Sequence, residues 1–461
     1  MQLGLREQYP EFIFESYNID YGVTGIHVQY TYRLANYVFT PKVTIPADSI
    51  KNQHFDRAFL DTLFFHFGII NAINYYKLSC PPTFIIKAAP LDPVQAAFYK
   101  KLFYHGLGEF MYINNLDLKR ESFLNIVADP PSTPPTAFDL QDDFHGNLIP
   151  VGGGKDSIVT LRALDSMHDD NLCLQYNRSL YPTNHAAISA IKATGYSLNQ
   201  IVNFNLEIDP LLLELNHQGF YNGHVPFSAS LAFACIIMAH LNNKAYAVLS
   251  NESSADEGNL KGSDINHQYS KSLEFETDFR NFTSAYFTNK IQYFSLLRCL
   301  NEYEIVQKFL KFPTYLDIFR SCNVGTRTNS WCGHCAKCLY VYIMLYPFVS
   351  QNHLQRIFGH DLFSDETLLN DFIGLVNPDK LKPFECVGTK EEINYSLRLA
   401  INQTDNRNLL PPLLKYYTQN YYQPTRAASP FADPEADRAI TDFYNPNHYI
   451  PESYLKLILS L

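Results

Sequence analysis

Basic charge is scarce in this chain of 461 residues: 36 Lys and Arg stand against 46 Asp and Glu, a formal net charge of −10. A general nucleic-acid binder would carry a basic face, so the balance argues against that class. Long apolar runs are lacking as well. The longest mostly apolar stretches, near 227–241 and 338–349, fall short of the roughly 20 residues that cross a bilayer, and residues 1–7 show no signal-peptide apolar core. Cysteine is sparse, nine in all, too few and too unevenly placed for a secreted disulfide scaffold. No internal repeat, coiled-coil heptad or low-complexity tract is present. These absences predict a cytoplasmic protein with reduced thiols that binds neither membrane nor nucleic acid. What the chain does have suits burial: it is 46% hydrophobic and 15% aromatic, long enough for two to four domains at about 150 residues each.

Residues 1–128 mix strand-like and helical patterns and read as an α+β region. Residues 26–32 alternate as a strand with one face on a core. Residues 55–78 and 92–106 read as helices, the second opened by Asp92 as cap and Pro93 at the first helical position. The run Asp129-Pro-Pro-Ser-Thr-Pro-Pro135 then breaks the pattern, so 129–146 reads as a stiff linker. From 147 the chain alternates strand and helix, the mark of a parallel sheet covered by helices. Strands are expected at 148–151, 172–176, 201–206 and 245–249, and helices at 155–168, 185–194 and 227–241. Pro150 cannot donate to a sheet ladder and must lie near the end of its strand. This α/β domain spans 147–320, a cysteine-rich and helical region 321–384, and a carboxyl-terminal extension 385–461.

The most informative segment is Val151-Gly-Gly-Gly-Lys-Asp-Ser157. Three glycines let the backbone curl tightly and approach a ligand closely, and the helix that follows offers unpaired N–H groups and a positive dipole end to an anion. Asp156 stands where a Walker loop needs Ser or Thr after Gly-Lys, and the G-x-G-x-x-G spacing is absent. The segment resembles the PP-loop of ATP pyrophosphatases, Ser-Gly-Gly-x-Asp-Ser, with Gly152 in place of the first Ser. That resemblance implies an adenine nucleotide alpha hydrolase-like core that cleaves ATP between its α- and β-phosphates.

Cys322, Cys332, Cys335 and Cys338 form C-x9-C-x2-C-x2-C. Four soft ligands at short spacing suit tetrahedral Zn²⁺, with an iron–sulfur cluster as the alternative. A closed four-thiolate site is structural, since no position is left for substrate. Two further segments are rich in groups able to hold a ligand. Asn222-Gly-His-Val-Pro226 precedes the apolar helix, and Ser250-Asn-Glu-Ser-Ser-Ala-Asp-Glu-Gly-Asn259 follows an apolar strand and continues into a polar run through His267 and Lys271. In parallel sheets ligands gather at the carboxyl ends of strands, where the glycine turn, Asn177 and 250–252 all fall.

Together these segments resemble the ATP-dependent UDP-N-acetyl-α-D-muramoyl-L-alanyl-L-glutamate epimerases of peptidoglycan synthesis. Gly106-Leu-Gly-Glu-Phe110 with Tyr112 and Asn114, Asn222–Pro226, Ser250–Glu252 with Glu257-Gly-Asn259, and Trp331-Cys-Gly-His-Cys-Ala-Lys-Cys338 carry the resemblance over about residues 60 to 350. It implies ATP and Mg²⁺ as cofactors, a structural Zn²⁺, and a small nucleotide-sugar peptide as substrate. Gly152, Gly153, Gly154, Lys155, Ser157, Asn177 and Ser250 would contact ATP, and Asp156 would hold Mg²⁺. Asn222, Asn251, Asn259 and Lys271 would contact substrate. Proton transfer would fall to Glu252, Glu257, His224 or His267, unranked. The arrangement of glycine turn and cysteine loop is also similar to 7-cyano-7-deazaguanine synthase, so another adenylating enzyme making an amide, a nitrile or a modified base stays open, as does a non-catalytic nucleotide-binding regulator.

Overall fold

The computed structural model describes residues 4–178, 184–260, 265–403, 409–422 and 434–461. Its framework is one large, mostly parallel sheet. The strands are β1 (Glu11–Gly22), β2 (Gly25–Leu34), β3 (Tyr37–Phe39), β4 (Lys42–Pro46), β5 (Thr83–Ile86), β6 (Asn125–Ala128), β7 (Asn147–Pro150), β8 (Asn171–Arg178), β9 (Ile201–Glu207), β10 (Tyr246–Leu249) and β11 (Gln292–Ser295). Across the sheet they run β11-β10-β7-β8-β9-β4-β2-β1-β5-β6, with β3 on β2. From β11 to β9 every pairing is parallel. Antiparallel pairing begins where Lys42–Thr44 meet Asn205–Glu207 and continues through β2 and β1. The amino-terminal region is thus joined to the parallel strands edge to edge.

Side chains on a strand alternate between faces, and the two faces feed two cores. Leu148, Leu172, Leu174, Val202 and Phe204 join the core that contains the helix Arg57–Tyr76. Ile149, Cys173, Val248 and Phe294 join the other, with the apolar helix Ala336–Leu345. Burial on both sides is why β7, the first half of β8 and β10 are mostly apolar, while β9 alternates, its Asn203 and Asn205 half-buried. The Arg57–Tyr76 helix is capped by Asp56, and residues 93–106 by a full capping box from Asp92 and Gln95. Among the described residues no helix is long and apolar enough to cross a membrane.

Two expectations need correction. The helix expected over 155–168 ends at Ala163, because Leu164 leaves helical geometry and a 3₁₀ stretch, Asp165–Asp170, delivers the chain to β8. Strand β11 lies outside the expected set, as do β1 and β3 to β6. Pro150 does close its strand. β7 pairs with β10 only through Asn147 and Leu148, so the missing N–H interrupts nothing there.

The parallel half positions the site. β7 has β8 and β9 on one side and β10 and β11 on the other, so successive connections leave in opposite directions on either side of it. The crevice beyond the carboxyl ends of β7 and β10 is the place where such sheets bind ligands.

Candidate active site

The glycine turn leaves β7 at the edge of that crevice. Gly153 has φ +90°, and a Cβ there would lie 2.5 Å from the carbonyl carbon of Ala186, so only glycine fits. At Gly152 a Cβ would meet nothing within 4 Å: the turn is open on that side. Ser157 folds back into the loop, its Oγ accepting from the Gly153 amide at 3.3 Å and donating to the Gly154 carbonyl at 3.0 Å. Lys155 turns inward, 4% exposed, and its Nζ bridges Asp156 at 2.5 Å and the buried Glu302. Burial opposes charge on Lys155, but the two carboxylates raise its pKa. Burial likewise opposes ionisation of Asp156, yet Lys155, Lys337 and Lys271 hold its carboxyl below the ordinary range. Glu302 is pushed up, by burial first, with Asp156 and Glu252 adding to it. Three carboxylates therefore converge beside the turn.

The cysteine loop braces the same turn from outside. The Arg320 amide donates to the Gly153 carbonyl at 2.9 Å. The four Sγ atoms lie within 4.8 Å of one another, with Cys322–Cys335 at 3.9 Å and Cys332–Cys338 at 3.6 Å. A tetrahedral ion with metal–sulfur bonds of about 2.3 Å needs sulfurs about 3.8 Å apart, so they can close around one ion. Amides of Gly325 and Cys338 point at Cys322 and Cys335 sulfurs. Lys337, between two of the cysteines, reaches the other way and donates to the backbone carbonyl of Cys386.

A second polar group lies on the far side of Lys271. Close packing of Gly106, where a Cβ would fall 2.6 Å from Pro226 Cγ, brings the Gly108–Ile113 helix against the Asn222–Pro226 segment. Glu109 of that helix pairs with His267 Nδ1, and His224 Nδ1 is 3.9 Å from the same carboxylate. The two imidazole rings are 4.1 Å apart at their centroids. Burial, then His267, Lys77 and Lys271, push His224 down to about 2, so it is neutral. His267 goes the other way: burial disfavours its charge, but Cys386 and Glu109 raise it to about 9. Lys77 anchors the loop through Asn222 Oδ1 at 3.0 Å and the Gly223 carbonyl at 2.6 Å.

Of the residues singled out from sequence, Lys155, Asp156, Glu252, Lys271, His224 and His267 fall in one continuous electrostatic group. Others are engaged in holding loops. Ser250 Oγ bonds Thr160 at 2.8 Å and Asn251 bonds Ser295 at 3.0 Å. Glu257 pairs with Lys382 at 2.5 Å. Asn259 bonds the carbonyls of Lys382 and Pro383 at 3.3 and 3.1 Å. Asn177 bonds Asn203 and Asn205, beside an open pocket bordered by β4 and β9. Sequence reasoning did not single out Glu302, Lys337, Lys77, Glu109 or Cys386 as site residues. Glu109 had a trace in its glycine-flanked motif and Lys337 in its cysteine spacing; Glu302, Lys77 and Cys386 stand in ordinary helical or loop contexts.

Fold and site together define a mixed α/β protein whose charged centre lies at the switch point of its sheet, braced by a four-cysteine loop. Residues 4–296 match the family model of the MurL N-terminal domain and residues 318–428 that of the MurL C-terminal domain. Three curated relatives share the name UDP-N-acetyl-alpha-D-muramoyl-L-alanyl-L-glutamate epimerase. One, from Micromonospora sp., is 31% identical over 459 residues, covering 97% of each chain. Another, from Salinispora tropica, is 33% identical over 413 residues, 86% of each. A third, from Xanthomonas oryzae pv. oryzae, is 32% identical over 345 residues, 73% of this chain and 74% of that one. The chain belongs to the MurL family.

Proposed function

We propose that this chain converts the terminal L-Glu of UDP-MurNAc-L-Ala-L-Glu to D-Glu, consuming ATP through an acyl-adenylate. The observation that carries the reading is the near end-to-end likeness to relatives bearing that name. The chemistry is coherent with the site. An ionised carboxylate resists loss of the neighbouring α-proton, because the carbanion would lie beside a negative charge. Turning the carboxylate into an adenylate removes that charge and makes the proton far more acidic. A base then takes it, reprotonation from the other face inverts the centre, and water releases AMP and product.

The turn resembles a PP-loop, and its surroundings fit that use. The open side at Gly152 and the helix start at Lys155 offer space and dipole to a phosphate. Gly153, Gly154 and Ser157 would contact it. Asp156, with Glu302 and Glu252 near, has the hard oxygen donors that suit Mg²⁺; the ion would offset charge on the departing pyrophosphate. The sulfur spacing supports one Zn²⁺ in the cysteine loop more than a cluster, whose iron atoms would hold the thiolates farther apart. His224 and His267, their rings 4.1 Å apart, remain candidates for proton transfer.

The test is to incubate the purified chain with ATP, Mg²⁺ and UDP-MurNAc-L-Ala-L-Glu, then follow AMP and the chirality of glutamate after hydrolysis. AMP and D-glutamate are expected; glutamate that stays wholly L overturns the proposal.

A further inference from the structure

Outside the four-cysteine loop, five cysteines remain: 80, 173, 235, 299 and 386. Four of them are buried, and burial pushes Cys80 up to about 11, despite Arg6 and Tyr76 beside its sulfur, and Cys173 to about 12. Cys386 is shifted the other way. It is half-buried in a polar setting, its Sγ 3.2 Å from the Lys271 ammonium. The ring of His267, whose Nδ1 pairs with Glu109, acts electrostatically on the same thiolate. Although burial works against the thiolate, Lys271, His267 and Lys337 bring its pKa down to about 5.

The segment carrying Cys386 is strapped in place from both sides. Before it, Lys382 is bonded to the Asn259 carbonyl at 2.9 Å and to Glu257 at 2.5 Å. After it, Gln268 donates to the Val387 carbonyl at 3.4 Å. Lys337 holds the Cys386 carbonyl itself. Gln268 is the neighbour of His267, so this bond ties the segment carrying the thiolate to the one carrying the imidazole. Lys271 feels both Cys386 and Asp156, which places the thiolate beside the region proposed for adenylate formation.

A thiolate paired with an ammonium, in the field of an imidazole that a carboxylate orients, has the electrostatic setting of a covalent nucleophile. Resting on the function proposed above, we propose that Cys386 is an acyl acceptor, taking the glutamyl group from the adenylate as a thioester, with His267 and Glu109 positioning it. The Sγ lone pair forms a C–S bond to the acyl carbon. The C–O bond to the α-phosphate breaks, and AMP leaves with that electron pair. No electron is gained or lost overall. The thioester suits inversion better than the mixed anhydride: sulfur donates weakly into the carbonyl, which eases enolate formation, and hydrolysis is slower, which leaves time for proton exchange. Water later adds to the thioester carbonyl and the C–S bond breaks, restoring the thiolate and freeing the carboxylate.

The experiment uses the full chain with ATP, Mg²⁺ and UDP-MurNAc-L-Ala-L-Glu, quenched in acid during turnover and analysed by intact mass and peptide mapping. The expected result is an adduct of substrate mass less one water on Cys386, lost on hydroxylamine treatment. Cys386→Ala and Cys386→Ser should retain pyrophosphate release in a single turnover while losing D-glutamate formation at least about 10³-fold. A second readout needs no turnover: iodoacetamide should alkylate Cys386 in the resting chain with a midpoint near 5, not near the ordinary thiol value. Wild-type rates of inversion in Cys386→Ala overturn the proposal. So does loss of inversion with no adduct in the unaltered chain, which would make Cys386 a proton-transfer group instead. Absence of pyrophosphate release from the unaltered chain sinks the underlying function and this step with it, and is told apart by that assay alone.

Discussion

The amide of Arg320 donates to the carbonyl of Gly153 at 2.9 Å, so the segment leading into the cysteine loop is the outer wall of the glycine turn. Lys337, from within the same loop, holds the Cys386 carbonyl. One loop therefore sets the position of two parts of the site that are more than 200 residues apart in sequence.

Removing the metal proposed for the loop should release both parts. Elemental analysis is expected to find about one zinc per chain. Chelation or Cys335→Ser should lower the Tm and abolish turnover together, since metal binding and loop folding are one equilibrium. A metal-free chain with unchanged Tm and activity would show that the sulfurs need no ion.

The two glycines of the turn should respond oppositely. Gly153→Ala forces a side chain into φ +90° and against Ala186, at a cost of about 1–3 kcal/mol, and should end ATP binding. Gly152→Ser enters open space and should change stability by no more than about 0.5 kcal/mol. Denaturant unfolding and nucleotide titration check both; a destabilised Gly152→Ser would show that the space is not free.

Lys155 is buried between Glu302 and Asp156. Lys155→Met leaves Glu302 without its ammonium partner and should cost about 3–5 kcal/mol. Glu302→Gln should cost less, about 1–3 kcal/mol, because Asp156 still holds the ammonium. Urea denaturation of the two variants decides the order, and the reverse order refutes the assignment.

His66 supplies a pH test away from the site. Its Nδ1 meets the Tyr99 hydroxyl at 2.8 Å among the rings of Phe282 and Phe287, and burial pushes it down to about 3. The unfolded residue takes its proton near 6.5, so between about 6.5 and 3 the unfolded state binds the extra proton. Stability should then fall with falling pH by about 1.4 kcal/mol per unit from this group. His66→Phe should flatten the acid limb by that amount in denaturant titrations at pH 7, 6 and 5; an unchanged slope contradicts the buried neutral ring.

Sequence alone determined the local features. Apolar runs located β7, β8 and β10 to within two residues, because a strand buried on both faces is mostly apolar, and alternation located β9. Asp92 and Pro93 marked where the helix 93–106 begins, whereas the cap of the helix 57–76, Asp56, was not read from the sequence. Two C-x2-C steps were enough to expect three sulfurs in one place, with Cys322 arriving from the preceding loop, since a short turn carries its own geometry. Strand β11 was not expected, and neither was the end of the helix at Ala163, where Leu164 leaves helical geometry with no glycine or proline to mark it.

Only the tertiary structure decided what faces what. Nothing in the neighbourhood of Lys42–Thr44 announces its pairing with Asn205–Glu207, because register between distant strands is set by shared cores and not by either strand alone. The same holds for the partners of the charged centre. Lys155 meets Glu302 across 147 positions and His267 meets Glu109 across 158, while Cys386 reads in sequence as one more isolated thiol. Charge on such groups depends on burial and on partners brought by the fold, so the glycine turn was visible in the chain and the reactive pairings around it were not.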